Sequence, residues 1–410
     1  MQTRLSAAFL ETPDGRDADG ILRKCVHCGF CTATCPTYQL LGDELDGPRG
    51  RIYLIKEMLE GAEPSQASQL HLDRCLTCRA CETTCPSGVR YGRLLDIGRR
   101  HIERVVPRTL RERLLRRALL SVVPRRKRFA ALLALGRMLR PLMPVTLRSS
   151  VPLERRAGGW PAPRHSRRML VLAGCVQPAA VPDINAAAAR VLDRLGISLI
   201  EVRDGCCGAL AHHLSEEGVA REQMRRNIDV WWPEIERGVE ALVVTASGCG
   251  AMVREYGELL RDDPVYAPKA ARVSELFRDI GQAVAQLLAE PGAVGLGSPR
   301  TGGQRVAFHS PCTLQHGLKV RGIVESLLER AGYNLTFVAD GHLCCGSAGT
   351  YSLLQPAISR QLKTNKLAAL QADAPDVIAT ANIGCLMHLA SGTDRPVRHW
   401  IELVAAALIG

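Results

Sequence analysis

Two stretches, CVHCGFCTATCP at Cys25–Pro36 and CLTCRACETTCP at Cys75–Pro86, share one spacing of four cysteines followed by proline. The 410-residue chain holds sixteen cysteines in four groups of four, at 25–35, 75–85, 175–249 and 312–385. The first residues lack the apolar segment of a signal peptide, and no stretch reaches the roughly 20 apolar residues of a membrane-spanning helix. We therefore expect a cytoplasmic protein, where clustered cysteines indicate metal ligands rather than disulfides.

The spacing C-x2-C-x2-C-x3-C-P is that of bacterial ferredoxins, in which the fourth cysteine of each run ligates the other [4Fe-4S] cluster. This rule predicts two crossed ligand sets: Cys25, Cys28, Cys31 and Cys85; and Cys75, Cys78, Cys81 and Cys35. Two structural zinc sites are the alternative, but zinc sites usually pair short C-x-x-C knuckles across a longer gap. The segment RGRIYLIKEMLEGA at 49–62 predicts a helix between the runs. Its Arg49 and Arg51 are expected at the solvated surface, with offset of cluster charge as the alternative.

Residues 169–410 contain two copies of one pattern. MLVLAGCVQ at 169 matches VAFHSPCTLQ at 306, and the two DGCCG-like segments match in the same order. Matching cysteines are separated by 137, 138, 138 and 136 residues. Apolar runs alternate with helix-like stretches, which predicts βαβ units with a mainly parallel sheet and cysteines at its carboxyl edge. The stretch PGAVGLGSPRTGG at 291–303 is interpreted as a linker.

Each copy places a single cysteine before a Cys-Cys-Gly motif and another cysteine after it. The groups are Cys175, Cys206, Cys207 and Cys249, and Cys312, Cys344, Cys345 and Cys385. Gly208 and Gly346 are expected to allow a tight turn or close approach to a metal centre. The copies resemble the cysteine-rich domain of heterodisulfide-reductase type, whose fullest form ends in C-x-x-C, whereas Met252 and His388 stand here. A five-thiolate centre is therefore disfavoured, and two alternatives stay open: one further iron–sulfur cluster, or reduced cysteines without metal.

Four histidines lie close to these motifs in sequence. Each is expected to be a hydrogen-bonded core or surface residue rather than a ligand. They are His212, His213, His309 and His316.

The charge of the chain is concentrated in one segment. Residues 99–168 hold 20 Lys or Arg against three Glu, a net +17, so the remainder of this +12 chain carries −5. Prolines divide the segment into short helical pieces. Its arginines alternate with leucines, which would suit docking on an anionic membrane surface, although residues 110–120 do not form a clean apolar helix face. Packing against an acidic partner subunit stays open as the alternative. Nucleic-acid binding is disfavoured, because aromatic residues are few.

The phrases CVHCGFC, GPRGRIYLIK, SPCTLQHGLK, CCGSAGTYS and ANIGCLMHL resemble the iron–sulfur subunits of bacterial glycolate oxidase. The resemblance spans almost the whole chain and is weakest in the basic segment. It implies an electron-transfer subunit of a flavin-dependent glycolate dehydrogenase that oxidises glycolate to glyoxylate. The implied partners are an FAD-containing subunit and a second flavin-binding-type subunit, with a membrane acceptor such as quinone. The implied location is the cytoplasmic face of the inner membrane, with peripheral attachment and no nucleic acid bound.

The sequence thus predicts an α+β multidomain protein. A mostly helical two-cluster ferredoxin-like domain (1–98) precedes the basic connector (99–168) and two α/β Cys-Cys-Gly domains (169–290 and 304–410). Related functions remain as alternatives: the iron–sulfur subunit of a D-lactate, L-lactate-utilisation or glycerol-3-phosphate dehydrogenase, or a catalytic subunit like that of heterodisulfide reductase. A redox-sensing DNA-binding protein is a third class. No residue of this chain is predicted to be catalytic, because it has no dinucleotide fingerprint, nucleophile elbow or hydrolytic metal motif.

Overall fold

A computed structural model describes residues 1–144, 148–292, 295–296 and 302–409. The predicted linker at 291–303 falls largely outside the described residues, as does residue 410 at the end of the predicted second Cys-Cys-Gly domain. The predicted boundary at residue 98 lies inside a helix, Tyr91–Val105. The residue bounds of the four segments stay a prediction.

The N-terminal region is helical around the two cysteine runs. Helix starts carry the expected caps: the Thr12 side chain accepts from Gly15 N, and Ser65 accepts from Ser68 N. The predicted helix between the runs is confirmed as Pro48–Leu59. The helices up to residue 139 are α1 (Ala7–Leu10), α2 (Pro13–Lys24), α3 (Pro36–Leu41), α4 (Pro48–Leu59), α5 (Gln66–Asp73), α6 (Ala80–Thr84), α7 (Tyr91–Val105), α8 (Leu110–Val122) and α9 (Arg126–Leu139).

Helices α2, α4, α5 and α7 enclose the core of this region. Ile55, Leu72, Leu94 and Leu95 are fully buried there. Gly98 on α7 lets α4 approach closely, because a Cβ at that position would lie 2.6 Å from Ile55 Cγ1. Burying each of these large side chains contributes about 1.5–3 kcal/mol. The two cysteine runs are therefore held on a packed helical core.

The remainder of the chain forms two four-stranded parallel sheets. Their strand orders are β2-β1-β3-β4 and β6-β5-β7-β8, so each copy has the same topology. The predicted repeat of βαβ units is confirmed, and with it the α+β fold. The strands are β1 (Arg168–Val171), β2 (Ser198–Glu201), β3 (Leu242–Val244), β4 (Phe277–Asp279), β5 (Arg305–His309), β6 (Asn334–Leu335), β7 (Val377–Thr380) and β8 (Val397–His399).

Nearly every residue of the inner strands β1, β3, β5 and β7 is buried, as is typical of parallel sheets. A five-residue π-helix, Thr313–Gly317, follows Cys312 in the second copy. The helices of the two copies are α10 (Gln177–Ala180), α11 (Asp183–Arg194), α12 (Ala209–His213), α13 (Glu217–Glu236), α14 (Ser247–Arg254), α15 (Tyr256–Leu259), α16 (Ala267–Leu276), α17 (Ile280–Leu288), α18 (Ile323–Arg330), α19 (Tyr351–Leu354), α20 (Pro356–Gln371), α21 (Ile383–Ala390) and α22 (Trp400–Ile409).

The two copies pack against each other through one continuous apolar core. The N-terminus of α14 meets the second copy, where Ser247 N donates to Ala381 O at 3.2 Å. Ser247 Oγ and Thr313 Oγ1 lie 2.7 Å apart, and His399 Nε2 lies 2.8 Å from Thr245 O. The carboxyl edges of the two sheets are therefore held together.

The N-terminal region lies against both copies. Toward the first copy, Arg79 pairs with Glu255, and Asp96 Oδ2 lies 3.1 Å from His212 Nε2. Toward the second copy, Tyr351 Oη donates to Arg74 O at 2.9 Å. Three of the four cysteine groups are thereby brought into one part of the molecule, as the side-chain contacts below describe.

Within the part of the chain that the structure describes, no helix has both the length and the apolar character needed to cross a bilayer.

Candidate metal centres

The two cysteine runs adopt the same backbone conformation at matched positions. The second residue after the first cysteine is left-handed in each run, with φ +55° at His27 and +52° at Thr77. The residue directly after the second cysteine is also left-handed, with φ +83° at Gly29 and +59° at Arg79. Left-handed turns of this kind are costly for residues other than glycine. The two cysteine loops therefore turn in the same way, each around its own cavity.

The first run encloses one cavity together with the end of the second run. This space, about 450 Å³ and partly open to solvent, is lined by Cys25, Cys28, Cys31, Cys81 and Cys85. Four of these cysteines are the first predicted ligand set. Cys28 is exposed, whereas Cys25 and Cys81 are buried.

The second run encloses a smaller cavity of about 300 Å³. It is lined by Cys35, Cys75, Cys78 and Cys81, which are the second predicted set. Cys81 borders both cavities, so the two spaces are neighbours. The structure thus brings each predicted set to one place, and the assignment of ligands to clusters stays a prediction.

The donor set and its surroundings fit a cationic, sulfur-ligated group. Burial raises the pKa of Cys31 to about 11, with further increase from Cys25 and Cys28. Burial also raises the pKa of Cys78 and of Cys81 well above the ordinary thiol value. Closely packed thiols resist ionisation without a metal, and a bound metal reverses this preference. Eight such thiols around two cavities suit two [4Fe-4S] clusters.

Arg51 lies inside the protein, so the expectation that Arg49 and Arg51 are both solvated is wrong for Arg51. Its side chain is fully buried and lines the second cavity, whereas Arg49 stays partly exposed beside Glu44. Burial alone lowers the pKa of Arg51, but Cys75, Tyr91, Cys35 and Asp46 together raise it. A guanidinium here offsets the negative charge of thiolate ligands.

Two polar side chains beside the second cavity had no signal in the sequence. Tyr91 Oη donates to Cys75 Sγ at 3.6 Å, and Thr37 Oγ1 lies 3.3 Å from Cys35 Sγ. Hydrogen bonds to ligand sulfur help to set the potential of an iron–sulfur centre. Tyr91 and Thr37 reach these sulfur atoms only through the packing of the helices, which the local sequence does not reveal.

In each copy, the cysteines follow the carboxyl ends of three adjacent strands. Cys175 follows β1, the Cys-Cys pair follows β2, and Cys249 follows β3; the second copy repeats this arrangement with β5, β6 and β7. The tight turns expected after the Cys-Cys pairs are confirmed, with φ +93° at Gly208 and +86° at Gly346. A Cβ at Gly346 would lie 2.7 Å from Ser359 O. None of the sixteen cysteines, all of which the structure describes, forms a disulfide.

The four cysteines of the first copy contact one another in series. Hydrogen bonds from Cys175 and Cys207 lower the pKa of Cys206. Contact with Cys206 and Cys249, together with burial, raises the pKa of Cys207. Met252, in the position of a fifth cysteine, is buried in the common core. The first copy thus offers a four-thiol group.

The cysteines of the second copy lie against the N-terminal region. Cys312 Sγ and Cys344 Sγ are 3.9 Å apart, and Gly346 N donates to Cys344 Sγ at 3.4 Å. Cys312 and Cys344 share a small buried cluster with Leu76 and Cys78 of the second run. The second copy therefore adjoins the second cavity directly.

The four histidines near the motifs differ in their contacts. His212 pairs with Asp96, and its ring packs edge-on against His213. His316 Nδ1 lies 3.1 Å from Thr83 Oγ1, and its Nε2 lies 2.9 Å from His342 O. The expectation of a hydrogen-bonded residue is wrong for His309, which is buried and has no hydrogen-bond partner at either ring nitrogen among the described residues.

Comparison with known families supports a division into cysteine-containing units. Residues 21–89 match the 4Fe-4S dicluster domain, and residues 169–254 and 306–390 each match the cysteine-rich domain named after its Cys-Cys-Gly motif. The dicluster match spans both cysteine runs and the helix between them.

Two relatives are similar to nearly the whole chain, and a third is similar to about half of it. It is 56% identical to the glycolate oxidase iron–sulfur subunit of Escherichia coli, across 100% of this chain and 99% of the relative. It is 30% identical to the probable glycolate oxidase iron–sulfur subunit of Bacillus subtilis, across 92% of this chain and 90% of the relative. Lactate utilization protein A of Bacillus licheniformis is 28% identical across 52% of this chain and 86% of the relative.

Proposed function

Because this chain belongs to the family of glycolate oxidase iron–sulfur subunits, we propose that it conducts electrons within a complex that oxidises glycolate to glyoxylate. The observation that carries the proposal is the pair of adjoining thiol-lined cavities in a dicluster domain. Bound [4Fe-4S] clusters supply one-electron transfer. This chain contributes the ligands and their surroundings, and the oxidation of substrate takes place on a flavin-containing partner.

The ligand assignment follows the crossed pattern. Cys25, Cys28, Cys31 and Cys85 hold the first cluster; Cys75, Cys78, Cys81 and Cys35 hold the second. Arg51, buried beside the second set, balances part of the thiolate charge. Tyr91 and Thr37 orient the sulfur atoms of Cys75 and Cys35.

Electrons enter from the flavoprotein at the first set. Cys28 is the one exposed cysteine of the sixteen, and all sixteen lie in the described part of the chain. Val26 and Phe30 beside it are 66% and 60% exposed, which leaves an apolar surface for a partner next to a ligand. The second set is more deeply enclosed and adjoins the second copy, which supports a path that leads away from this surface.

The partners are an FAD-containing subunit and a second flavin-binding-type subunit, and the acceptor is a membrane quinone. The full-length similarity to glycolate oxidase subunits supports glycolate over D-lactate or glycerol 3-phosphate. Similarity to lactate utilization protein A covers about half of the chain at lower identity, so L-lactate is the second candidate.

We expect glycolate to reduce the clusters of the intact complex. The complex would be isolated anaerobically through a tag on this chain, and separate samples would receive glycolate, D-lactate or L-lactate. The cluster EPR signals should appear with glycolate within the turnover time of the complex. Dithionite provides the control for intact clusters. If dithionite produces the EPR signals but glycolate does not, the proposed electron donor is wrong. If only a lactate isomer produces them, that lactate replaces glycolate as the proposed substrate.

Helices α8 and α9 form the surface that we assign to the membrane. Neither helix contains a fully buried residue. Leu110, Met138 and Leu142 are 64%, 69% and 83% exposed, and arginines lie exposed along the same segment, among them Arg113 and Arg126. An anionic bilayer can bind both the apolar side chains and the arginines, because apolar groups enter the acyl boundary while arginines contact lipid phosphates. An acidic partner subunit would pair with the arginines but would not account for the exposed apolar side chains.

The double substitution Met138→Glu with Leu142→Glu should weaken binding of the complex to phosphatidylglycerol vesicles by about tenfold or more. It removes apolar contacts and adds negative charge at the bilayer surface. Phe337→Glu, at a 77% exposed residue of the second copy, is the matched control and should bind normally. The measurement is co-sedimentation at low and high salt. Unchanged sedimentation of the double variant, or its loss from the complex, would place the contact elsewhere or on a partner subunit.

A further inference from the structure

His309 is a buried imidazole whose polar atoms are left without partners. It is 2% exposed, and among the described residues neither Nδ1 nor Nε2 makes a hydrogen bond. Leaving a buried polar group unpaired is unfavourable, and native proteins rarely do so without a ligand, ion or water. His309 ends strand β5, three residues before Cys312, so its backbone is held by the sheet.

Two thiols of the second copy face this imidazole. One ring nitrogen of His309 and the sulfur atoms of Cys345 and Cys385 all lie within 4.8 Å of one another. All three residues are buried. Asn382 Nδ2 donates to Cys385 Sγ at 3.5 Å, which holds that sulfur in place.

The other two cysteines of the copy complete the group. Cys344 directly precedes Cys345, and its sulfur lies 3.9 Å from Cys312 Sγ. The second copy thus gathers four buried thiols and one imidazole at the carboxyl edge of its sheet, with Cys312 and Cys344 beside the group of His309, Cys345 and Cys385. Tetrahedral zinc takes four ligands, whereas a multi-iron centre can use all five.

We propose that His309 is the fifth ligand of an iron–sulfur centre held by Cys312, Cys344, Cys345 and Cys385. The fifth donor would thus come from the end of strand β5, and not from residue 388, where the fullest form of this domain has its last cysteine. At that position His388 lies 3.3 Å from Ser359 Oγ through its Nε2 and is engaged elsewhere. The proposal goes beyond electron conduction by the dicluster domain and is independent of which substrate the complex oxidises.

The first copy cannot form the same centre. The residue three positions before its first cysteine is Leu172, which is buried and apolar. Among the described residues, no histidine forms a metal-ligand group with the four thiols of the first copy. The proposed mixed-ligand centre therefore belongs to the second copy.

The proposed centre lies where it could be the third redox centre of a series, after the first and second predicted clusters. Cys312 and Cys344 share a buried cluster with Cys78, a predicted ligand of the second set. Neighbouring redox centres of this kind exchange electrons over short, dry paths.

The test uses the whole chain in its native complex, reduced anaerobically with dithionite. Pulsed EPR measures nitrogen hyperfine coupling with natural-abundance and ¹⁵N-histidine protein, and chemical analysis gives iron, sulfide and zinc per chain. The unaltered protein should carry more iron than two clusters require, and a strongly coupled histidine nitrogen. His309→Leu, which copies Leu172, should lose both. His309→Cys should keep the additional iron and lose the nitrogen coupling, while His388→Gln should keep both.

Several outcomes would overturn the proposal. Nitrogen coupling that persists in His309→Leu would exclude His309 as a ligand. Stoichiometric zinc without additional iron would exclude an iron–sulfur centre. Equal iron content and equal EPR spectra in the unaltered protein and in all three variants would mean that the second copy holds no such centre. Glycolate plays no part in these measurements, so failure of the proposed substrate would leave them unaffected.

Discussion

Replacing Cys78 with alanine should lower turnover of the complex with its physiological acceptor by roughly 100-fold or more, since changes even to the surroundings of metal ligands cost 10–100-fold. The flavin of the partner subunit should still be reduced by glycolate at its normal rate. Cys78 is buried, lines the second cavity and shares a buried cluster with Cys312 of the second copy. Its loss therefore removes a ligand at the junction between the dicluster domain and the Cys-Cys-Gly copies.

The same substitution at Cys28 should give a different pattern. If electrons enter at the exposed first set, Cys78→Ala leaves a glycolate-reducible EPR signal from the first cluster, whereas Cys28→Ala leaves none. Dithionite should still reduce whichever cluster remains in each variant. Ser87→Ala, which lies at the first cavity without a thiol, is the matched control and should keep both signals.

Stopped-flow absorbance of the flavin, freeze-quench EPR and acceptor turnover together measure these steps. Normal acceptor turnover in either cysteine variant would contradict conduction through that set. A glycolate-reducible second cluster in Cys28→Ala would reverse the proposed direction of entry. Slow flavin reduction in Cys78→Ala would point to a damaged subunit interface rather than to an interrupted path.

Local patterns in the sequence were sufficient to predict the order of the elements. The repeat at 136 to 138 residues placed each cysteine of the second copy after the strand that matches one in the first. Strand and helix periodicity depend on neighbouring residues, so this part of the fold is visible in a single sequence. The spacing of the motif also predicts the crossed sets, through the rule about which run supplies the fourth ligand. The cysteines of each predicted set line one cavity, and the assignment of ligands to clusters stays a prediction.

The surroundings of the cysteines could not be predicted in the same way. Arg51 lies on α4, and it is buried where its guanidinium donates to His71 O on α5 and to Thr37 Oγ1 on α3. His309 looks like an ordinary strand residue until the packing of the second copy leaves it without a partner. Both properties depend on contacts between residues far apart in the chain, which no short pattern records.

Replacing Asp46 with asparagine should destabilise the dicluster region by about 3–5 kcal/mol, the usual cost of removing one member of a buried ion pair. Asp46 is completely buried. Its Oδ1 lies 3.4 Å from Arg51 Nη2 and 3.0 Å from His71 Nδ1, and its Oδ2 lies 2.7 Å from Arg74 Nη1. Asparagine keeps the size of the side chain but removes its charge, so the buried guanidinium of Arg51 loses its carboxylate partner.

The network of Asp46 also leads to a predicted cluster ligand. Arg51 Nη1 donates to Thr37 Oγ1 at 3.1 Å, and Thr37 Oγ1 donates to Asp46 O at 2.7 Å. The same hydroxyl lies 3.3 Å from Cys35 Sγ. Loss of the carboxylate should therefore loosen the position of Cys35 as well as the helices. We expect faster release of iron from the second set than from the first.

The measurement is thermal unfolding of the anaerobic complex, followed by circular dichroism and by cluster absorbance. The loss of cluster absorbance should move down by roughly 10 °C in Asp46→Asn, from the usual relation between stability and Tm. Asp43→Asn is the matched control. Asp43 lies three residues before Asp46 and caps the short helix Glu44–Asp46 by accepting from Leu45 N at 2.9 Å. Asparagine caps equally well, so this variant should change stability by less than about 0.5 kcal/mol. Equal Tm values for the two variants would mean that the buried guanidinium of Arg51 does not depend on the charge of Asp46, and that this network does not fix the charge beside the second set.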